Sequence, residues 1–177
     1  FYVSEYELGA YMTDIVNVFR SYASVKHIDL TYESNFRYLN VWLDKDKMDS
    51  ILKNIISNAL KYTPEGGSVH VYAYETEDTW NVEVSDTGIG IPLDEQKKLF
   101  KMHFRGSNAI NSKVTGSGIG LLLVWKLVHM HKGKLNFTST EGKGSCIKVS
   151  FPKGEKRYRK AIHRPAPTKE QEQNNEP

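Results

Sequence analysis

Trp80-Asn81-Val82-Glu83-Val84-Ser85 runs straight into Asp86-Thr87-Gly88-Ile89-Gly90-Ile91-Pro92. Trp80, Val82 and Val84 alternate with Asn81, Glu83 and Ser85, a period of two that predicts a half-buried strand. Asp86 has the parity of Val82 and Val84, so a carboxylate closes the apolar face. Burying a charge there is costly unless a partner satisfies it. Gly88 and Gly90 follow, where the backbone must turn tightly or pass close to something bulky. A buried acceptor beside bare backbone suits a flat, amine-bearing ring such as adenine. Taken alone, Asp86 to Pro92 reads more simply as an Asp-Gly turn with a solvated carboxylate. Three further clusters in the chain weigh against that simpler reading.

Working outward, Val69, Val71 and Ala73 alternate with His70, Tyr72 and Tyr74 and predict a hairpin partner for this strand. Residues 45–62 predict a helix, with Asp44 as its cap and Thr63-Pro64-Glu65-Gly66-Gly67 as its stop. Val16, Phe19, Tyr22 and Ala23 are spaced for one helix over residues 6–24. Ile28, Leu30 and Tyr32 alternate as a short strand, with residues 38–43 as its hairpin partner. Downstream, residues 93–101 predict a short helix. Arg105 to Gly118 is polar and glycine-dotted, the composition of a mobile loop. Residues 119–131 are apolar almost all round and predict a buried helix. Leu135–Phe137 and Ser145–Phe151 predict strands about the turn Glu141-Gly142-Lys143-Gly144. The sum is an α+β fold, helices on one face of a mixed sheet.

The chain has 177 residues, 39% hydrophobic and 25% charged, the balance of a single soluble globular domain. No apolar run is long enough to span a bilayer and no signal peptide opens the sequence, which starts at Phe1 as a fragment of something longer would. Cys146 is alone, which excludes an internal disulfide and fits a reducing compartment. No Cys/His cluster has zinc-ligand spacing. The net charge of +3 is unevenly placed: residues 153–164 hold six basic side chains against one acid, residues 165–177 one against three, and residues 1–152 are neutral. A nucleic-acid reader carries its basic patch on the fold itself, so nucleic acid is not an expected partner. From Lys153 onward Pro, Lys, Glu, Gln and Asn leave almost nothing to bury. The expected organisation is a folded domain over 1–152 and a disordered linker or tail over 153–177.

The three further clusters carry the chemistry. On the helix at 45–62, Met48, Ile51, Leu52, Ile55, Ala59 and Tyr62 form an apolar stripe, and Asn54, Asn58 and Lys61 a polar line beside it. Asparagine is a poor helix-interior residue, so two in line are not there for helix stability. An amide oxygen is a hard ligand suited to magnesium, and a lysine one turn on meets phosphate. Gly116-Ser117-Gly118-Ile119-Gly120-Leu121 opens the predicted buried helix, where free N–H groups and glycines admit phosphate. Its late position excludes a dinucleotide fold, and no Gly-Lys-Ser/Thr marks a P-loop. Leu99-Phe100-Lys101-Met102-His103-Phe104-Arg105-Gly106 adds two aromatic anchors and, at Arg105, a fork of donors for phosphate. Each cluster by itself also reads as an ordinary surface or helix end.

Together these segments resemble the ATP-binding catalytic domain of bacterial sensor histidine kinases, in the gyrase–chaperone–kinase–MutL superfamily. Asn54 to Pro64 matches the asparagine box and Asp86 to Pro92 the first glycine box. Leu99 to Arg105 matches the phenylalanine box and Gly116 to Leu121 the second glycine box, in the family's order. The resemblance covers about residues 8–152. It implies a two-layer α/β sandwich with a mobile ATP lid over residues 106–117. It implies that Asn58 holds Mg2+ with Asn54 assisting, and that Lys61 and Arg105 contact phosphate. Tyr62 would stack on adenine, and Asp86 would accept from the adenine amine between Gly88 and Gly90. Gly116, Ser117, Gly118, Ile119, Gly120 and Leu121 would cradle the phosphates. Lys101, Met102 and His103 depart from the family's Glu, Arg and second Phe, which leaves Arg105 as the basic contact.

The resemblance further implies transfer of the γ-phosphoryl group of Mg-ATP to a histidine, within a two-component and possibly hybrid sensor kinase. None of His27, His70, His103, His129, His131 and His163 precedes an acid, so the acceptor is expected on a separate dimerisation and phosphotransfer domain of the same parent protein. A response regulator or receiver domain would follow. The parent would be anchored in the inner membrane, with this domain cytoplasmic, monomeric in isolation and out of contact with lipid. Hydrolases of the superfamily place a Glu one helical turn before the magnesium-binding Asn. Here Asn54 stands there and cannot take a proton, which favours kinase over hydrolase chemistry. A non-catalytic nucleotide-binding module and a serine kinase of the same fold are the alternatives.

Overall fold

A computed structural model describes residues 1–96, 120–158 and 162–163. The chain opens with β1 (Tyr2–Glu7), then α1 (Leu8–Val18), α2 (Arg20–Val25), β2 (Asp29–Ser34) and β3 (Asn40–Leu43). The helix α3 (Lys45–Lys61) leads to the hairpin β4 (Ser68–Glu75) and β5 (Thr79–Asp86). After α4 (Gly120–Met130) come β6 (Lys134–Thr140), β7 (Gly144–Pro152), a 3-10 turn (Glu155–Tyr158) and the short β8 (Ile162–His163).

The main sheet has the order β2-β4-β5-β7-β6. β2 and β4 run parallel; the other neighbours are antiparallel. A parallel pair needs a crossover, and α3 supplies it. Its apolar stripe of Met48, Ile51, Leu52, Ile55, Ile56, Ala59 and Leu60 is buried on the sheet and on α4. The facing strands contribute Val69, Val71, Ala73, Val82, Val84, Ile147 and Val149 at alternate positions. The mixed sheet with its helices is the α+β fold that the periodicities predict.

The ends of the domain differ from expectation. The single helix over 6–24 is a strand, a helix and a second short helix that breaks at Phe19. Glu7 ends the strand and caps α1 by accepting from the Ala10 N–H at 2.6 Å. Residues 40–43 do pair as a strand, with β1 rather than β2: Ser4 stands opposite Leu43 and Tyr6 opposite Val41. A second sheet, β3-β1-β8, results. Helix α4 is not buried all round. Val124, Leu127 and Val128 face the core, while Leu123, Trp125 and Met130 are 40%, 41% and 45% exposed. One helix face can touch α3 and the sheet, whatever the composition of the other.

Packing also continues past residue 152. Tyr158, inside the basic stretch expected to be a solvated linker, is buried and donates its hydroxyl to the His131 carbonyl at 3.0 Å. Lys153 pairs with Glu75 at 2.8 Å, and β8 lies parallel to β1. The remainder of the expected tail, the loop over 105–118 and most of the helix over 93–101 lie outside the described residues.

His131 joins these ends to α3. It is fully buried, its Nε2 accepts from the Asp44 N–H at 3.2 Å, and its Nδ1 lies 3.0 Å from the Leu127 carbonyl. Asp44 caps α3 by accepting from Lys47 N–H at 3.2 Å, and its other oxygen accepts from Tyr2 N–H at 2.7 Å. An imidazole that donates at one nitrogen and accepts at the other is neutral. Burial holds its pKa below the ordinary 6.5. The unfolded chain then takes up a proton that the folded chain refuses, so stability falls as pH drops below 6.5 toward the folded value. Melting curves between neutral and mildly acid pH should show this loss, and His131→Gln should flatten it.

Candidate functional site

The site grows from the row structure of the main sheet. Moving across β4, β5, β7 and β6, one row on the helix side is Ala73, Val82, Val149 and Leu135, and the next is Val71, Val84, Ile147 and Phe137. The last row is Val69, Asp86, Ser145 and Ser139. Three polar side chains therefore end an otherwise apolar face, beside the C-terminus of α3.

Asp86 is half-buried and anchored on one oxygen. Its Oδ1 accepts from the Gly88 N–H at 2.9 Å and the Ser145 N–H at 3.1 Å. Oδ2 has no hydrogen bond among the described residues. Burial raises the carboxyl pKa above its ordinary value, opposed by the two N–H donors. A fixed carboxylate with one open oxygen is an acceptor prepared for an external donor.

The glycines permit the surrounding close approaches. A Cβ at Gly88 would lie 2.4 Å from the Tyr62 carbonyl oxygen, and that same oxygen accepts from Ile89 N–H at 3.0 Å. Gly90 has φ +66° and its Cβ would lie 2.1 Å from the Thr140 carbonyl oxygen. Gly142 N–H in turn donates to the Ile89 carbonyl at 2.7 Å. The turn after β5 is thus held between the end of α3 and the β6–β7 turn.

Helix α3 carries Asn54, Asn58 and Lys61 toward its C-terminal end, and the carbonyl of its C-cap Tyr62 meets the turn after β5. Asn54 donates its amide to the Ser50 carbonyl at 2.7 Å, which engages its nitrogen and leaves its oxygen without a bond among the described residues. The half-buried Asn58 side chain has no hydrogen bond among them either. Lys61 is exposed, and Tyr62 is the half-buried C-cap. Lys26 closes this helix end by donating to the carbonyls of Leu60 at 2.7 Å and Lys61 at 2.9 Å. Gly120 begins α4, and Leu121 packs against the core. Arg105, Gly116, Ser117, Gly118 and Ile119 lie outside the described residues.

Among the described residues no group of three or more His, Cys, Asp or Glu side chains would hold a metal. The available donors are the amide oxygens of Asn58 and Asn54. Such a sparse, hard-oxygen set fits Mg2+, which keeps several waters and shares phosphate oxygens with its substrate. Sequence reasoning found Asp86 and the asparagine line but missed Ser139 and Ser145. Both have the inward parity of Phe137 and Ile147, the same signal that singled out Asp86.

Residues 43–155 match the family described as histidine kinase-, DNA gyrase B-, and HSP90-like ATPase. The chain belongs to this family. Sensor histidine kinase WalK of Bacillus subtilis is 39% identical over 129 residues, covering 72% of this chain and 21% of that protein. Adaptive-response sensory kinase SasA of Thermosynechococcus vestitus is 40% identical over 113 residues, 63% of this chain and 29% of that protein. The chain thus spans less than a third of the length of these two relatives. Among solved structures, the nucleotide-free catalytic domain of histidine kinase ThkA superposes with TM-score 0.76 at 23% identity, over 86% of this chain and 99% of that one. Mycobacterial sensor histidine kinase MprB gives 0.74 at 24% identity, over 85% and 98%. These likenesses bear out the fold. The ATPase family and its kinase relatives bear out the expected histidine-kinase type of ATP-binding catalytic domain. Among the described residues no helix is long and apolar enough to cross a membrane.

Proposed function

We propose that this chain binds Mg-ATP and transfers the γ-phosphoryl group to a histidine on a separate dimerisation domain of the same parent protein. The observation that carries the reading is Asp86, fixed through Oδ1 by two backbone N–H groups, with Oδ2 unbonded among the described residues, at the start of a turn that meets the Tyr62 carbonyl at the end of α3. In this reading Oδ2 accepts from the adenine amine, Gly88 and Gly90 let the ring lie against backbone, and Tyr62 stacks on it. Asn58, with Asn54 assisting, would hold Mg2+, which when bound neutralises charge on the phosphates. Lys61 and Arg105 contact phosphate oxygens, and the backbone from Gly116 to Leu121 cradles them.

The residue one helical turn before Asn58 separates transfer from hydrolysis. Asn54 cannot accept a proton at neutral pH, and its amide nitrogen already donates to Ser50. Without a positioned base, water is a poor nucleophile. A neutral imidazole brought by a partner domain needs no such base. The kinase relatives support this direction, and one structural neighbour, histidine kinase ThkA in complex with response regulator protein TrrA, supports a downstream receiver partner here. The parent is proposed to be a membrane-anchored sensor with this domain in the cytoplasm.

Incubation with γ-labelled ATP and a dimerisation domain bearing an acceptor histidine tests the proposal. The expected product is acid-labile label on the partner, with slow phosphate release by the isolated domain. No label would indicate a non-catalytic nucleotide module, and acid-stable label a serine kinase. Robust hydrolysis untouched by Asn54→Ala would contradict the mechanism.

A further inference from the structure

We infer that Ser139 is a positioning residue for base recognition, acting through the turn after β5 with Gln96 as a second staple. The inference rests on the nucleotide-binding reading above. Ser139 Oγ accepts from the Ile91 N–H at 2.8 Å, and lies 2.8 Å from Ser145 Oγ and 3.1 Å from the Gly144 carbonyl. One hydroxyl thus ties the far end of the Asp86–Ile91 turn to the strand whose Ser145 N–H holds Asp86. Gln96 repeats the tie from the other side. Its amide donates to the Ile91 carbonyl at 3.0 Å and the Ser139 carbonyl at 2.8 Å.

Both polar groups of the Ile91 peptide are therefore held by two side chains that touch no catalytic residue directly. Gly88, the other N–H donor to Asp86, lies in the same short turn. Its position depends on where the turn is pinned. Ile89 pins the near end of the turn to Tyr62 and Gly142. Ser139 pins its far end while touching Ser145. Losing the Ser139 hydroxyl loosens both the turn beyond Ile89 and the strand whose Ser145 N–H holds Oδ1, so the open oxygen meets the base less precisely. The consequence falls on the exocyclic amine and not on the phosphates, which are gripped from α3 and the start of α4.

The test compares ATP with purine riboside triphosphate, which lacks the exocyclic amine, by calorimetric titration with Mg2+. The wild-type domain should prefer ATP. Ser139→Ala should weaken ATP about tenfold, the loss of one hydrogen-bonded anchor, and leave the amine-less nucleotide nearly unchanged. Ser139→Thr, which keeps the hydroxyl, should restore the preference. A general loosening would instead weaken both nucleotides by one factor, and that outcome overturns the inference. Gln96→Ala carries the same expectation with a smaller narrowing, and decides the matter if Ser139→Ala does not fold. An unchanged preference in Gln96→Ala would then overturn it. A folded wild-type domain that binds neither nucleotide would overturn the nucleotide-binding reading itself.

Discussion

Asp86→Asn should abolish most of the thermal shift given by a nonhydrolysable Mg-ATP analogue while leaving the unliganded melting temperature equal or slightly higher. An asparagine at 86 can keep its carbonyl oxygen on the Gly88 and Ser145 N–H groups, which the aspartate satisfies with Oδ1. It then turns an NH2 toward the base, and two donors face each other. The lost bond to a charged acceptor is worth about 3 kcal/mol, or roughly a hundredfold in affinity. At a ligand concentration near 100 times the dissociation constant, binding adds about 2.7 kcal/mol, and a hundredfold loss leaves about 0.4. For a domain of this size that is a shift of about 5–10 °C falling to about 1 °C.

The sign of the unliganded change follows from protonation. Burial raises the Asp86 pKa above 3.8, so the folded domain binds a proton that the unfolded chain has released. That group's contribution falls as pH climbs from 3.8 through the raised value, and the neutral asparagine escapes the penalty. A ligand amine favours the charged form, so the nucleotide-induced shift should fade as acid protonates Asp86. Scanning calorimetry across pH, with and without nucleotide, measures both effects.

Gly144→Ala should cost about 3–5 kcal/mol, combining overpacking with left-handed backbone strain. Gly144 has φ +126°, and a Cβ there would lie 2.0 Å from the Asp86 carbonyl oxygen and 3.0 Å from the Thr87 Cα. Those neighbours are backbone of the central hairpin and cannot swing aside as a long side chain would. Gly142 is the internal control: its φ is +78°, yet nothing lies within 4 Å of the added carbon. Gly142→Ala should cost only about 1 kcal/mol, the strain alone. Urea unfolding of the two variants separates strain from collision. Gly144→Ala should also weaken nucleotide, because the collision displaces the strand end that presents Asp86.

The parts of the fold that were legible are those with a clean period. β5 alternates without interruption to Asp86, and α3 has both a capping aspartate and an unbroken apolar stripe. β1 was hidden because Val3 and Ser4 are adjacent and both buried, which spoils the alternation. Its absence from the reading left β3 without its true neighbour. The exposed side of α4 was illegible because Leu123, Trp125 and Met130 have the composition of a core and the position of a surface. Tyr158 was lost in a run of basic residues, although one large aromatic is enough to seat a turn. At the site, Asp86 was found by parity. Ser139 was missed because the expected strand stopped at Phe137, whereas β6 runs on to Thr140.

The most direct measurement is calorimetric titration of the folded wild-type domain with a nonhydrolysable ATP analogue and Mg2+. One saturable site is expected, losing affinity when the exocyclic amine is removed from the base. A natively folded sample giving no binding heat and no melting shift at millimolar nucleotide would contradict it.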